Sequence, residues 1–267
     1  LAPAAAAVAA VKRLEGAFAL GIIFAGEHNL MIGARQGTPL AIGFGEGEMY
    51  LGSDALALAH LTREIMYLED GDMAVITGLG ATIRNRSGAA VERPLHITNL
   101  TGNISGKGNY PHFMLKEIYE QPQVISDTLH SFINPATRSV SLPDLSLDLA
   151  KVPKLTIIAC GTAFYAAMIA KYWFESIAHI PAEVDIASEF RYRDVQLPER
   201  GLALFISQSG ETADTLAALR FARSKGQHIL SLVNVPDSTI ARESDAVLLT
   251  KAGLEVSVAS TKAFTTQ

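Results

Sequence analysis

From Leu155 onward the sequence alternates unbroken apolar runs with amphipathic segments, and few folds can absorb that pattern. The runs are "LTIIAC", "AEVDIAS", "ALFIS", "HILSLVNV" and "DAVLLT"; between them lie "GTAFYAAMIAKYWFESIAHI" and "ETADTLAALRFARSKG". A strand apolar at nearly every position must be buried on both faces. Helices of roughly 15 residues between such strands return the chain for parallel pairing. The pattern predicts an α/β unit, a parallel sheet flanked by helices.

The first hundred residues obey another grammar. After a helical composition at 4–14 come short apolar runs punctuated by glycine: "AFALGIIFA", "LMIGAR", "LAIGFG", "MYLGS" and "MAVITGLGATIRN". Such spacing predicts antiparallel hairpins. One helical interruption, "DALALAHLTREIMYL", is expected after Ser53 as its N-cap. "NLTGNISGKGNYP" (99–111) reads as a linker, and 112–132 as a helix with a break or kink at Pro122. The expected organisation is therefore 1–98, a linker at 99–111, and 112–267.

Composition removes several function classes. A formal net charge of −5 and the lack of any long Lys/Arg run argue against a nucleic-acid partner. No stretch of 18 apolar residues occurs, which argues against a membrane span. The Ala-rich opening lacks a charged leader, and Lys12, Arg13 and Glu15 interrupt it. The single cysteine, Cys160, excludes an internal disulfide and fits a reducing compartment, so a cytoplasmic location is expected.

In an open parallel sheet, ligands sit beyond the carboxyl ends of the strands, where helices begin. Two such turns carry unusual polar content. One is "IIACGTAFYAA", with Gly161 and Thr162. The other is "FISQSGETADT", with Ser207, Gln208, Ser209, Gly210 and Thr212. The unpaired N–H groups and positive dipole end of a helix N-terminus favour an anion, hydroxyls add donors, and glycine lets the backbone approach. The second turn reads as a phosphate cradle without a lysine. The competing reading is that Ser209 or Thr212 only caps the helix, with Glu211 favourable in its first turn.

Other segments carry less. No Walker-type spacing occurs, "GFGEGE" (43–48) misses the dinucleotide pattern and reads as a turn, and the seven histidines lack metal-ligand spacing, so no cofactor is expected. Cys160 ends an apolar strand and reads as a buried structural thiol. "KEIYEQP", with Glu117, Glu120 and Gln121, reads as a solvated helix face. In "ASEFRYR" (187–193), Glu189 is expected to pair with Arg191 or Arg193. "EVSVASTKAFTTQ" places Ser257, Ser260, Thr261 and Lys262 before a helical start.

Taken together, "HFMLKEIYEQP", "CGT", "YWFES", "ASEFRYR", "SQSGETADT", "NVPDSTIARESD" and "VASTKAFTTQ" resemble the isomerising glutamine–fructose-6-phosphate aminotransferase family. "SDALAL" and "LEDGDMAVI" resemble the later part of its glutaminase domain, an α+β N-terminal-nucleophile fold. From about 112 the chain resembles the first of two sugar-isomerase (SIS) domains, truncated at its C-terminal end. The resemblance implies amino transfer from glutamine to fructose 6-phosphate with sugar isomerisation, giving glucosamine 6-phosphate. It implies a homodimer through the isomerase domains. It places Ser207, Gln208, Ser209 and Thr212 on the sugar phosphate, and Thr162, Val258, Ala259 and Ser260 against the sugar.

This sequence departs from the family at Ala163, where serine often follows "CGT". The family's glutaminase nucleophile is an N-terminal cysteine, whereas this chain opens on Leu1. The segments implied to supply the isomerase base, a ring-opening histidine and a lysine find no match here. An internal piece of a longer protein is therefore expected, with the phosphate cradle but no catalytic residue. The alternatives are a non-catalytic SIS regulatory module that binds a sugar phosphate, or another SIS phosphosugar isomerase or deglycase. The first hundred residues show no helix-turn-helix pattern to serve such a module, and an isomerase would not need the hairpin-rich half.

Overall fold

A computed structural model describes residues 1–98, 106–143, 148–257 and 259–267. The chain divides into two compact units, Leu1–Ile104 and Ser105–Gln267. Residues 99–105 of the expected linker lie outside the described residues. Among the described residues no helix is long and apolar enough to cross a membrane.

The first unit opens with helix α1 (Pro3–Val11) and continues in strands β1 (Phe18–Phe24), β2 (Glu27–Gln36), β3 (Ala41–Phe44) and β4 (Met49–Gly52). A single helical turn, α2 (Ala55–Leu58), precedes β5 (Glu64–Tyr67), β6 (Met73–Thr77), β7 (Gly80–Arg84), β8 (Ala90–Val91) and β9 (Leu95–Ile97). Two antiparallel sheets result, ordered β1-β2-β6-β7-β8 and β4-β3-β5-β9. Ile42 of one sheet and Ala74, Ile76 and Ile83 of the other share a single core. Hairpins are what the glycine punctuation predicts.

The helix expected over "DALALAHLTREIMYL" is corrected. Only Ala55–Leu58 is helical, and Glu64–Tyr67 is a strand between β3 and β9. Ile65 is fully buried there opposite Gly43, so sheet pairing and burial override the helical propensity of an Ala- and Leu-rich stretch. The cap moves as well. The Asp54 carboxylate accepts the Ala57 N–H at 2.8 Å, while the Ser53 hydroxyl donates to Asp54.

In the second unit, helix α3 (Phe113–Phe132) leads into a small ribbon of β10 (Ile133–Asn134) and β11 (Ser139–Val140). Then follow β12 (Leu155–Ala159), α4 (Gly161–Trp173) with a π-helical turn at Phe174–Ala178, β13 (Ala182–Ile186) and α5 (Ala187–Phe190). The remainder is β14 (Leu202–Ser207), α6 (Ala213–Ser224), β15 (His228–Val233), α7 (Thr239–Arg242), β16 (Ala246–Leu249) and α8 (Lys262–Thr266). The α3 helix does not break at Pro122. Proline removes one i→i−4 bond, but Glu117, Val124 and Thr128 are buried along one face, and tertiary contacts of this kind supply most helical stability.

The five strands from β12 to β16, taken in order β13-β12-β14-β15-β16, pair in parallel throughout. Every residue of β12 and β14 is buried, which explains their unbroken apolar runs. Ile157, Ala159, Leu204 and Ile206 face α4, whereas Ile158, Ala203 and Phe205 face α5, α6 and α7. Each fully buried side chain such as Phe205 contributes about 1.5–3 kcal/mol relative to exposure. With both faces covered, the ends of the strands are where the sheet's backbone can meet a ligand.

Candidate functional site

The carboxyl ends of the adjacent strands β12 and β14 open into a cleft of about 360 Å³. Thr162, Ser207, Gln208, Ser209, Thr212, Ala259 and Ser260 all line it, so three segments singled out from the sequence converge on one space. Val258, the remaining candidate, lies outside the described residues. Among its lining residues there is no Lys, Arg or His. From these lining residues an anion would meet backbone dipoles, hydroxyls and the amides of Gln208 and Gln267.

Both helices that start at the cleft have open N-termini. Cys160 is the N-cap of α4 and Thr212 that of α6, and neither makes a side-chain capping bond. The first N–H groups of two helices, 13 and 12 residues long, are thus available to a ligand. Capping by Thr212 does not occur in this structure. Ser209 accepts the Glu211 N–H at 3.2 Å, one step before the helix.

The hydroxyl protons can be counted. Ser207 Oγ accepts the Gly210 N–H at 3.0 Å and lies 3.1 Å from Thr212 Oγ1. That pair uses one hydroxyl proton between them. Ser209 acts in the turn only as an acceptor. Of the three hydroxyl protons, two therefore remain for an acceptor in the cleft, which suits a phosphate oxygen. Ser260 differs, because its hydroxyl donates to Glu255 Oε2 at 2.8 Å and can meet a ligand only as an acceptor.

Glycine is demanded at the cradle. Gly210 has φ +66°, and a Cβ there would stand 2.0 Å from Ser238 Oγ. The turn is buttressed from outside by Glu211 Oε1, which accepts the Thr239 N–H at 2.7 Å, and by the Gly210 carbonyl, which accepts the Ile240 N–H at 3.0 Å. Cys160 corrects the sequence reading. It is only half-buried, packing against the core on one side and lining the cleft on the other.

Charge gathers elsewhere. The pairing expected for Glu189 is replaced: Arg193 bonds to Glu183 at 3.0 Å and to Asp185, and Arg191 lies 3.8 Å from Asp214. The hydrogen bond from Lys154, followed by that from Arg193, holds the Glu183 carboxyl below its usual range. In the first unit a larger cleft, about 730 Å³, lies beside Arg35 and Asp72. Those buried charges are already engaged, Arg35 with Asp70 and Asp72 with Arg93.

The sequence reading missed two carboxylates near the cleft. Glu117, assigned to a solvated face, is only 2% exposed and accepts the N–H groups of Val256 and Ser257 at 2.7 and 3.1 Å. Its spacing from Val124 and Thr128 along α3 was the available signal. Glu255 accepts the Thr261 and Ala263 N–H groups besides the Ser260 hydroxyl.

The SIS-domain family profile matches residues 148–267. A glutamine–fructose-6-phosphate aminotransferase (isomerising) of Bradyrhizobium diazoefficiens is 58% identical over 266 residues, 99% of this chain and 44% of the relative. The enzyme of that name from Brucella abortus is 57% identical over 257 residues, covering 96% and 42%. The C-terminal domain of glucosamine-fructose-6-phosphate aminotransferase from Francisella tularensis superposes with TM-score 0.58 and 47% identity, covering 61% of this chain and 46% of that one. The chain thus spans less than half the length of the curated relatives it matches. Residues 148–267 are a SIS domain, and nearly the whole chain is homologous to a segment of the glutamine–fructose-6-phosphate aminotransferases.

Proposed function

We propose that the cleft holds the phosphate of fructose 6-phosphate, and that the chain serves the amino transfer from glutamine that yields glucosamine 6-phosphate. In this reading 1–98 are the later half of a glutaminase domain, 99–111 a linker and 112–267 the first sugar-isomerase domain. The protein acts in the cytoplasm as a homodimer formed through its isomerase domains. The observation that carries the reading is the Ser207, Ser209 and Thr212 trio, with two unused hydroxyl protons, beside two uncapped helix N-termini. Ser207, Gln208, Ser209 and Thr212 bind and orient the phosphate. Thr162, Val258, Ala259 and Ser260 face the sugar, where Ser260 accepts from a sugar hydroxyl. These are binding roles, and no step of bond making is assigned to them.

The test is thermal unfolding of the full chain with fructose 6-phosphate against fructose. The phosphate ester is expected to raise Tm more, and Ser209→Ala is expected to erase most of that difference. Equal shifts with both sugars would sink the reading and leave the hydroxyls as turn formers. A regulatory sugar-phosphate module would pass this test too, but similarity to the aminotransferases over 99% of the chain favours the enzyme.

A further inference from the structure

The wall of the cleft formed by Ala259 and Ser260 lies outside the sheet. Ala259 and Ser260 belong to the segment between β16 and α8, whose described residues carry no regular structure before Lys262. Five side chains tether that segment, and three come from α3. Asn234, just after β15, accepts the Ala252 N–H at 3.0 Å and donates to the Gly253 carbonyl at 2.8 Å. Thr128 Oγ1 accepts the Lys251 N–H at 2.9 Å. Glu117 Oε1 accepts the N–H groups of both Val256 and Ser257. Glu120 Oε2 accepts from the Lys262 ammonium at 2.8 Å, and that lysine is 4% exposed. The fifth, Glu255, binds the start of α8 and the Ser260 hydroxyl together.

Burying a carboxylate is expensive, and the expense is tolerated where it organises backbone that has no other partner. Glu117 fits this description. One oxygen gathers two consecutive N–H groups that belong to neither strand nor helix, and its other oxygen has no hydrogen-bond partner among the described residues. A solvated helix face needs none of this. The cradle at 207–212, by contrast, is built by β14, α6 and α7, and it receives no bond from Glu117.

We infer that Glu117 is a positioning residue for the sugar side of the cleft. Through Val256 and Ser257 it sets where Ala259 and Ser260 stand, so it governs recognition of the sugar and not of the phosphate. The inference rests on the reading that the cleft takes fructose 6-phosphate. It divides the site by element: β14 and α6 choose the anion, and α3, remote in sequence, chooses what the anion carries.

The experiment compares Glu117→Ala and Glu117→Gln with the parent in the full chain, titrating fructose 6-phosphate and inorganic phosphate separately and following amide hydrogen exchange. In Glu117→Ala, affinity for fructose 6-phosphate should fall at least tenfold, while that for inorganic phosphate stays within about twofold. Exchange at Val256 and Ser257 should quicken at least tenfold. Glu117→Gln keeps an acceptor oxygen and should restore most of the protection and the affinity. A parallel loss for both ligands would show a merely structural role and overturn the inference, as would no loss for either. Unchanged exchange at Val256 and Ser257 would overturn it whatever the ligands do. A parent chain that treats fructose 6-phosphate and fructose alike would instead defeat the functional reading, a result visible before any variant is made.

Discussion

The two strand-to-helix turns of the cleft stand side by side on neighbouring strands, yet they are built by different rules. After β12 the turn is nearly bare: Gly161 has φ +59°, Cys160 makes no side-chain cap, and a Cβ on Gly161 would meet nothing within 4 Å. After β14 the turn is braced throughout. Ser207 and Ser209 bond within it, and Glu211, Thr239 and Ile240 hold it from outside. The first turn offers a ligand backbone N–H groups and the Thr162 side chain, while the braced one presents hydroxyls already oriented within it. The difference teaches that the chemistry of an anion site lies less in having a helix start than in what stops its donors from turning elsewhere.

The contrast can be broken most sharply at the two glycines. Gly210→Ala is expected to destabilise the second unit by about 2–5 kcal/mol, from left-handed strain plus the clash with buried Ser238. Gly161→Ala meets strain without a clash and should cost about 1–2 kcal/mol. Urea unfolding followed by the fluorescence of Trp173, the single tryptophan and a residue of α4, reads both changes in the second unit. Equal losses would show the first turn to be as tightly built as the second.

The smallest effect sharpens the comparison. Ala163 is 7% exposed and lines the cleft in the first turn of α4. Ala163→Ser would give this turn a second hydroxyl beside Thr162, and on the proposed function affinity for fructose 6-phosphate should rise by at most about fivefold, the worth of one neutral hydrogen bond near 1 kcal/mol. Isothermal titration would measure it. An unchanged affinity would mean that the ligand does not reach the hydroxyl from this turn.

Much of this was legible because it is periodic or local. Apolar residues at nearly every position of 155–159 and 202–207 required burial on both faces, and the parallel sheet satisfies that requirement. Hydroxyls crowded after an apolar run pointed to the turn that lines the cleft. What failed was long-range. Glu64–Tyr67 reads as helix until β3 and β9 flank it. Glu117 reads as solvated until a segment 139 residues later brings its N–H groups to the carboxylate.

By itself, then, the sequence determined the two grammars of the chain, the glycines at the left-handed turns and the candidate residues at two helix starts, because all of these follow from neighbouring residues. Only the tertiary structure decided that those turns share one cleft, that Ser209 leaves its hydroxyl proton unused while Ser260 donates its own to Glu255, and that side chains of α3 bond the segment before α8. The reason is physical. A hydroxyl's role depends on which partner already holds it, and a carboxylate's on which backbone arrives to be held. Partners that meet only on folding leave little trace in the local pattern.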